Sequence, residues 1–437
     1  MGLVHPGAAN LHLPAMTEAN EFVTSLASRA KTASRALVSL PGHVRDTALL
    51  RMAVEVRARR ADILAANAID IAAAGEAGLA AALIERLKLD DTRVEKIARA
   101  IEDIAGQTDP VGQTLEGYVR PNGLRIEKRR VPLGVVLFFY ESRPNVTTDA
   151  AALCLKSANA VILRGGKECL HSNRALVVAI RAGLEAAGVP QDAVVFLDNP
   201  DRALVPPLLK LDHLIDIVIP RGGESLIRAV VEESTIPVLK HFTGNCHVYV
   251  DASAGTIAEQ VVAVCVNAKT SYPGGAVCNA AEKILFHQDA APLLLPRVAA
   301  ALLAKGVEIR GDEATCKLFP GAIPATGADW PEEYLALKVA FKVVGSLDHA
   351  IDHINTHGSR HTDAILTTDT RAADRFVAEV DSASVMVNAS TRFADGGEYG
   401  LGAELGISTD KLHARGPMGA TDLTTYKWIV TGQGHCR

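Results

Sequence analysis

A cysteine that closes a polar loop rich in glycine and proline is placed to react rather than to pack. The segment Ala268-Lys-Thr-Ser-Tyr-Pro-Gly-Gly-Ala-Val-Cys278-Asn279 delivers such a thiol immediately before a new element. Cys265, embedded in Val-Val-Ala-Val-Cys-Val, reads instead as an inert small hydrophobe. N–H groups of a helix N-terminus beside the loop would lower the Cys278 pKa and favour the nucleophilic thiolate. Two other loops pair glycines with cations: Arg164-Gly165-Gly166-Lys167 and Arg221-Gly222-Gly223-Glu224-Ser225. Each follows a β-branched run and precedes a helical one, so a phosphate could approach backbone N–H groups at the positive end of a helix. Two such loops at successive strand ends favour a phosphate-rich cofactor over a plain tight turn.

Other motifs carry less. Gly400-Leu-Gly402-Ala-Glu-Leu-Gly406 has three residues where a dinucleotide fingerprint has two, and no strand–helix context surrounds it. His349, His353, His357 and His361 recur every four residues, which on a helix stacks them on one face. Gly358 should end that helix and no Cys or carboxylate completes a tetrahedral set, so the series reads as a solvated edge with one His at most in a site. No metal is expected. HExxH, GxSxG and GxxxxGK[ST] motifs are absent.

The elements that must position these residues alternate. Residues 17–108 read as Ala-rich helices with a break at Asn67–Gly75, and Val119–Val131 as a hairpin around Pro121-Asn122-Gly123. From Val135 onward, short apolar strands and longer helices alternate in two blocks, the pattern of parallel sheets covered on both faces. The expected organisation is an N-terminal tail at 1–20, a cofactor-binding domain at 21–118 and 132–244, and a catalytic domain at 245–388. A hairpin at 119–131 and a Gly-rich segment at 389–437 complete it as an oligomerisation element. With 437 residues, 48% hydrophobic and 22% charged, the chain can bury a large core. A net charge of −5 and 4% aromatics leave nothing to draw it onto nucleic acid or an anionic membrane. Seven scattered cysteines without a CxxC pair give no disulfide framework, and with no secretory leader they suggest a cytoplasmic enzyme.

Six longer motifs then resemble one family. They are Val131-Pro-Leu-Gly-Val-Val, Glu141-Ser-Arg-Pro-Asn145-Val, Leu163-Arg-Gly-Gly-Lys-Glu168, Pro220-Arg-Gly-Gly-Glu-Ser-Leu-Ile-Arg228, Asn267-Ala-Lys-Thr-Ser-Tyr-Pro…Val-Cys-Asn279 and Gly400-Leu-Gly-Ala-Glu-Leu-Gly-Ile-Ser-Thr-Asp-Lys-Leu-His-Ala-Arg-Gly-Pro417. From about residue 20 to the C-terminus the chain resembles the gamma-glutamyl phosphate reductases (glutamate-5-semialdehyde dehydrogenases) of the aldehyde dehydrogenase superfamily. The resemblance implies an α/β aldehyde dehydrogenase-like fold of two parallel-sheet domains plus a small oligomerisation hairpin and tail. It implies NADPH-dependent reduction of L-glutamyl 5-phosphate to glutamate 5-semialdehyde, the second step of proline biosynthesis, through a thioester on Cys278.

Asn145 corresponds to the superfamily's oxyanion-stabilising Asn, and Glu333 to the glutamate that contacts the nicotinamide ribose. Arg164, Lys167, Gly222, Gly223 and Ser225 would contact cofactor phosphates; Arg143, Lys269 and Arg415 are nominated as cations for the substrate. Members that hydrolyse the thioester carry a Glu base where this chain has Leu239-Lys-His-Phe-Thr-Gly244, with His241 near the Glu position. Lacking that base suits a thioester that must survive until reduction. The expected partners are the small substrate, transiently a glutamate 5-kinase that makes the labile acyl phosphate, and further copies of the chain as a homodimer or homotetramer. A CoA-acylating aldehyde dehydrogenase, which shares the cysteine and also lacks the Glu, is the rival reading.

Overall fold

The computed structural model describes residues 13–437, with side chains from Glu18 onward apart from those of 81 and 82. The chain divides into two compact units. The first is Met1–Lys240 with Leu401–Gly406 and Met418–Arg437; the second is His241–Gly400 with Ile407–Pro417. The expected domain boundary at 244/245 thus moves to 240/241. The shift matters because it puts His241 and Gly244 in the same unit as Cys278.

The first unit begins with the helices Leu13–Val38, Gly42–Ala58, Arg60–Glu76, Ala81–Leu87 and Asp91–Ala105. Residues 13–20, expected within a tail, are helical; Pro14 falls in the first turn, where its missing N–H removes no bond. The remainder of that expected tail lies outside the described residues. The break expected at Asn67–Gly75 is absent, and the helix runs unbroken from Arg60 to Glu76. Asn67 is buried, donating to the Leu87 carbonyl and Ser172 Oγ and accepting from Leu89 N–H, so tertiary partners override its weak helix propensity.

Two antiparallel strands, β1 (Thr114–Val119) and β2 (Arg125–Pro132), form the hairpin. They lead into a four-stranded parallel sheet of β3 (Val135–Tyr140), β4 (Ala160–Gly165), β5 (Val194–Phe196) and β6 (Ile217–Arg221), in the order β5-β4-β3-β6. The run Val-Val-Leu-Phe-Phe-Tyr of β3 is buried throughout, as a strand covered on both faces must be. Because β6 returns to the far side of β3, the chain reverses direction between these two strands. At their carboxyl ends such a reversal opens a crevice.

The second unit holds a seven-stranded parallel sheet in the order β10-β9-β11-β8-β7-β12-β13. Its strands are β7 (Cys246–Val250), β8 (Ala281–His287), β9 (Glu308–Gly311), β10 (Ile323–Pro324), β11 (Lys338–Val344), β12 (Thr362–Leu366) and β13 (Ser384–Val387). The core on one face includes Val248, Ile284, Phe286, Leu294, Val339 and Phe341, and on the other Tyr249, Leu285, Ile354, Ile365 and Phe376. A two-stranded ribbon of β14 (Ile407–Ser408) and β15 (Gly416–Pro417) completes this unit. In the first unit, β16 (Thr424–Thr431) pairs along the whole of β2, giving a three-stranded sheet β1-β2-β16. Hairpin and C-terminal strand therefore do belong together. The remainder of the Gly-rich segment is divided between the units.

Candidate active site

Three adjacent strands of the second unit, β8, β7 and β12, begin side by side, and the chemistry gathers at their amino ends. Cys278 lies on the turn that enters β8, Cys246 is the first residue of β7, and His361 immediately precedes β12. The turn is pinned by Asn279, which is buried, donates to the Ala394 carbonyl at 2.9 Å and accepts from Arg392. On the other side Gly244 lies flush against the Cys278 peptide: a Cβ there would come within 2.5 Å of the Cys278 Cα and carbonyl carbon. Cys246 donates its S–H to the Cys278 carbonyl at 3.1 Å. Burial pushes the Cys246 thiol up, and it stays a neutral donor.

One ring nitrogen each of His241 and His361 and the Cys278 sulfur lie within 4.8 Å of one another. The Nδ1 of His241 donates to the Ile407 carbonyl at 2.7 Å, so its proton is fixed there and Nε2 is left for the thiol. His361 is fully buried, with Nδ1 at 2.9 Å from Thr362 Oγ1. Its Nε2 has no hydrogen-bond partner among the described residues, while the Cys278 sulfur lies within 4.8 Å of one of its ring nitrogens. Burial of Cys278 opposes the thiolate, but the charge of His361 and the bonds from both imidazoles outweigh it. The thiol is held well below its ordinary range.

The helix N-terminus expected to activate Cys278 is not the agent. The turn leads into a strand, and the histidines supply the positive charge. Of the four-residue series, only His361 joins the site, from beyond the helix Leu347–His357 that carries the other three. His353, expected on a solvated edge, is buried against Trp330 and His247. His241 also changes the reading of a stretch without a base. Burial disfavours its charged form, but the bond and charge of Cys278 and the Ile407 carbonyl win and raise its pKa. An imidazole that holds its proton beside the thiolate is no base for water.

Glu333 faces the same group. Burial, with the Cys278 and Glu282 charges, pushes its carboxyl up to about 7, opposed by the Gly244 N–H.

In the first unit, the loops after β3, β4 and β6 carry the residues expected to hold a cofactor. Gly222 and Gly223 follow β6 and precede the helix Glu224–Glu233, whose second residue is Ser225. Glu141, at the end of β3, accepts from Gly223 N–H at 3.1 Å, so two loops meet at the crevice between β3 and β6. A Cβ on Gly222 would meet the Glu141 carboxylate at 2.7 Å, so that side chain would have to move. Arg164 is the penultimate residue of β4; burial and the neighbouring Arg202 push its guanidinium pKa down, and its buried Nε has no partner among the described residues. A desolvated, incompletely satisfied cation next to Lys167, with the Glu168 carboxylate held by Ser142 N–H and Oγ, fits a nucleotide that brings a phosphate and ribose hydroxyls. Asn145 opens the helix Asn145–Lys156 and spends one amide N–H on Asp149 at 2.9 Å, leaving a second.

A sequence model of the aldehyde dehydrogenase family matches residues 5–316. The gamma-glutamyl phosphate reductase of Rhodopirellula baltica is 52% identical over 412 residues, covering 94% of each chain. That of Geobacter metallireducens is 49% identical over 418 residues, 95% of this chain and 99% of its own. The crystal structure of gamma-glutamyl phosphate reductase from Thermotoga maritima superposes with a TM-score of 0.92 at 45% identity, covering 95% of this chain and 99% of its own. The chain belongs to the gamma-glutamyl phosphate reductase branch of the aldehyde dehydrogenase family.

For a reductase of this branch, the three nominated substrate cations are placed very differently. Lys269 is fully buried, and its ammonium closes an ion pair with the equally buried Glu282 at 3.0 Å. We infer that a lysine so enclosed and paired acts as a structural charge, which argues against the nominated substrate role. Arg415 reaches Asp381 at 2.8 Å, a carboxylate shared with Lys411 at 2.6 Å and Arg360 at 3.8 Å. Three cations on one carboxylate leave a net positive cluster one residue from His361. Arg143 sits half-buried in the loop between β3 and the helix Asn145–Lys156. Sequence reasoning did not single out His361, Gly244, Lys411 or Arg360 as site residues; each is set by contacts with residues distant in the chain.

Proposed function

We propose that this chain reduces L-glutamyl 5-phosphate to L-glutamate 5-semialdehyde with release of phosphate, using NADPH, as the second step of proline biosynthesis. The observation that carries the reading is the Cys278 thiol between His241 and His361, in a chain of this reductase branch. The first unit binds the cofactor and the second carries the nucleophile.

The thiolate of Cys278 attacks the acyl carbon, and phosphate leaves with a proton from His241, which takes up another from solvent before the thioester is reduced. His361, enclosed at the start of β12, faces the sulfur and helps keep the Cys278 thiolate populated between turnovers. The resulting thioester has no carboxylate base beside it in the Leu239–Gly244 stretch, and protonated His241 does not activate water. When bound, the nicotinamide supplies the hydride that converts the thioester carbon to the aldehyde level. Oxyanion charge at that carbon falls to the Cys278 backbone N–H and, by family resemblance, to the second amide N–H of Asn145. Collapse returns the electron pair to sulfur and frees the aldehyde, so protons balance with the one carried off by phosphate.

Arg164 and Lys167 favour NADPH over NADH by taking the additional ribose phosphate, with Gly222, Gly223 and Ser225 at the diphosphate and Glu333 at the nicotinamide ribose. Arg143 and Arg415, the latter with Lys411 and Arg360, are the cations for substrate phosphate and carboxylate. A glutamate 5-kinase supplies the labile acyl phosphate. The β1-β2-β16 sheet, with Tyr118, Tyr426 and Trp428 exposed, mediates assembly as a homodimer or homotetramer.

The reverse reaction tests this directly. Glutamate 5-semialdehyde, NADP⁺ and inorganic phosphate are supplied and NADPH absorbance is followed. Phosphate-dependent NADPH formation that disappears in Cys278→Ala is expected. Activity with coenzyme A but not phosphate would instead make the chain a CoA-acylating aldehyde dehydrogenase.

A further inference from the structure

The donor set around Cys278 has a property that acyl transfer does not require. Two imidazoles and a thiol, held within 4.8 Å of one another, are the ligand types that bind soft divalent cations. Each imidazole is already oriented for it. The His241 Nδ1–H is fixed on the Ile407 carbonyl at 2.7 Å, and His361 Nδ1 sits 2.9 Å from Thr362 Oγ1. An Nδ1–H anchored on oxygen, with Nε2 aimed inward, is how metal-ligating histidines are held by their surroundings. The Nε2 of fully buried His361 has no oxygen or nitrogen partner among the described residues. Sequence spacing concealed the set because its three members come from the start of the second unit, the β8 turn and the start of β12.

We propose that His241, Cys278 and His361 form a binding site for a soft divalent cation, zinc above all, which reversibly holds the enzyme inactive. The three protein ligands occupy three tetrahedral positions and a water takes the fourth. With Zn–S and Zn–N bonds of about 2.3 and 2.0–2.1 Å, tetrahedral ligands stand roughly 3.3–3.6 Å apart, so the group must close by at most about 1.5 Å. Two elements that frame it, the Gly244–Cys278 contact and the Asn279 anchors, stay fixed while side-chain rotation brings the donors in. Coordination displaces the Nε2 protons to solvent and engages the sulfur lone pair that would attack the acyl carbon. Hard magnesium, which prefers oxygen ligands, is excluded by the same set. This inference rests on the geometry of three side chains and not on the identity of the acyl phosphate.

The test uses full-length Cys436→Ser protein, because the exposed Cys436 next to His435 offers an adventitious thiol. After chelator treatment, Co²⁺ is added and thiolate-to-cobalt charge transfer is read in the near ultraviolet, with zinc then used to displace it. One Co²⁺ per chain with that band is expected, and zinc should protect Cys278 from iodoacetamide until a chelator restores labelling. Cys278→Ser should abolish the band. His361→Ala should weaken zinc binding at least tenfold, and His241→Asn should do the same if His361→Ala fails to fold. A missing band, or zinc affinity equal in His241→Asn and the parent protein, overturns the proposal. Should the reverse reaction fail while the cobalt band appears, the substrate reading falls and the metal site stands.

Discussion

Gly244 and Cys278 are packed backbone to backbone, with no room for a methyl group between them. A Cβ on Gly244 would lie within 2.5 Å of the Cys278 Cα, and backbone cannot swing aside as a flexible side chain does. Gly244→Ala should therefore displace the nucleophile while leaving the sheets intact. A misplacement of about 1 Å costs on the order of 10²-fold in rate. The expected outcome is a kcat drop of that size with a near-normal melting temperature and normal NADPH binding, measured by steady-state kinetics, calorimetry and fluorescence titration. Undiminished kcat would show that the turn adjusts.

The thiolate pair makes a prediction about pH. Burial alone would raise the Cys278 pKa, but His361 and His241 pull it well below the ordinary thiol value. An unperturbed thiol near 8.5 loses reactivity about tenfold per unit as pH falls through neutrality. Iodoacetamide labelling of Cys278, followed by mass spectrometry with a chelator present, should instead stay level through neutral pH. His361→Asn should restore the ordinary slope. The same linkage has a stability counterpart of defined sign. A depressed pKa contributes stability above the unfolded value, and that contribution is lost as pH falls through the folded one.

Asp149 carries the opposite sign. Burial pushes its carboxyl up to about 6, with Asn145 and Arg221 opposing. The folded state thus prefers the protonated acid. Below about pH 3, where both states are protonated, the group costs nothing; the penalty grows as pH rises to 6 and stays thereafter. A shift of about two units corresponds to roughly 2–3 kcal/mol. Asp149→Asn should be more stable than the parent at pH 7–8 by up to that amount, and equal to it near pH 3. Denaturant melts at the two pH values check the claim, and an equal difference at both would refute it.

Much of this architecture was legible because it is written locally. The run Val135–Phe139 could only be a doubly covered strand, and the Arg-Gly-Gly loops had to sit at strand ends. What could not be read depended on partners far away in sequence. Asn67 looks like a helix breaker until Leu87, Leu89 and Ser172 absorb its side chain. His361 belonged to a periodic series whose periodicity is irrelevant to it, because the helix stops at His357 and the strand order β8-β7-β12 brings His361 to Cys278. Cys278 was nominated by its loop chemistry, but the charge beside it comes from imidazoles far away in sequence and not from a helix N-terminus. The glycine loops and Cys278 could be singled out one at a time; the imidazoles required the sheet.

Arg164 offers a discriminating cofactor test. Its desolvated guanidinium lacks an Nε partner and already feels Arg202, so an incoming phosphate relieves both conditions. Arg164→Ala should raise the KM for NADPH at least tenfold while changing that for NADH little. The loss of a charge-assisted bond, about 1.5–3 kcal/mol, sets that scale. Equal losses with the two cofactors would place Arg164 at a phosphate common to both.

Lys269 separates a structural charge from a substrate cation. Both members of the Lys269–Glu282 pair are fully buried at 3.0 Å, and Glu282 also accepts from Tyr334 N–H at 3.2 Å. Lys269→Met leaves that carboxylate unpaired in the interior, a change that costs about 3–5 kcal/mol. Glu282→Gln in the same chain removes the uncompensated charge while its carbonyl oxygen still meets Tyr334 N–H, so the double variant should recover most of the loss. If instead Lys269 bound the substrate phosphate, the single variant would keep its stability and raise KM, and the double variant would rescue nothing. Thermal melts paired with KM measurements decide between the two. The expected pattern is a large stability loss, its partial recovery in the double variant, and a KM that stays put in whatever fraction remains folded.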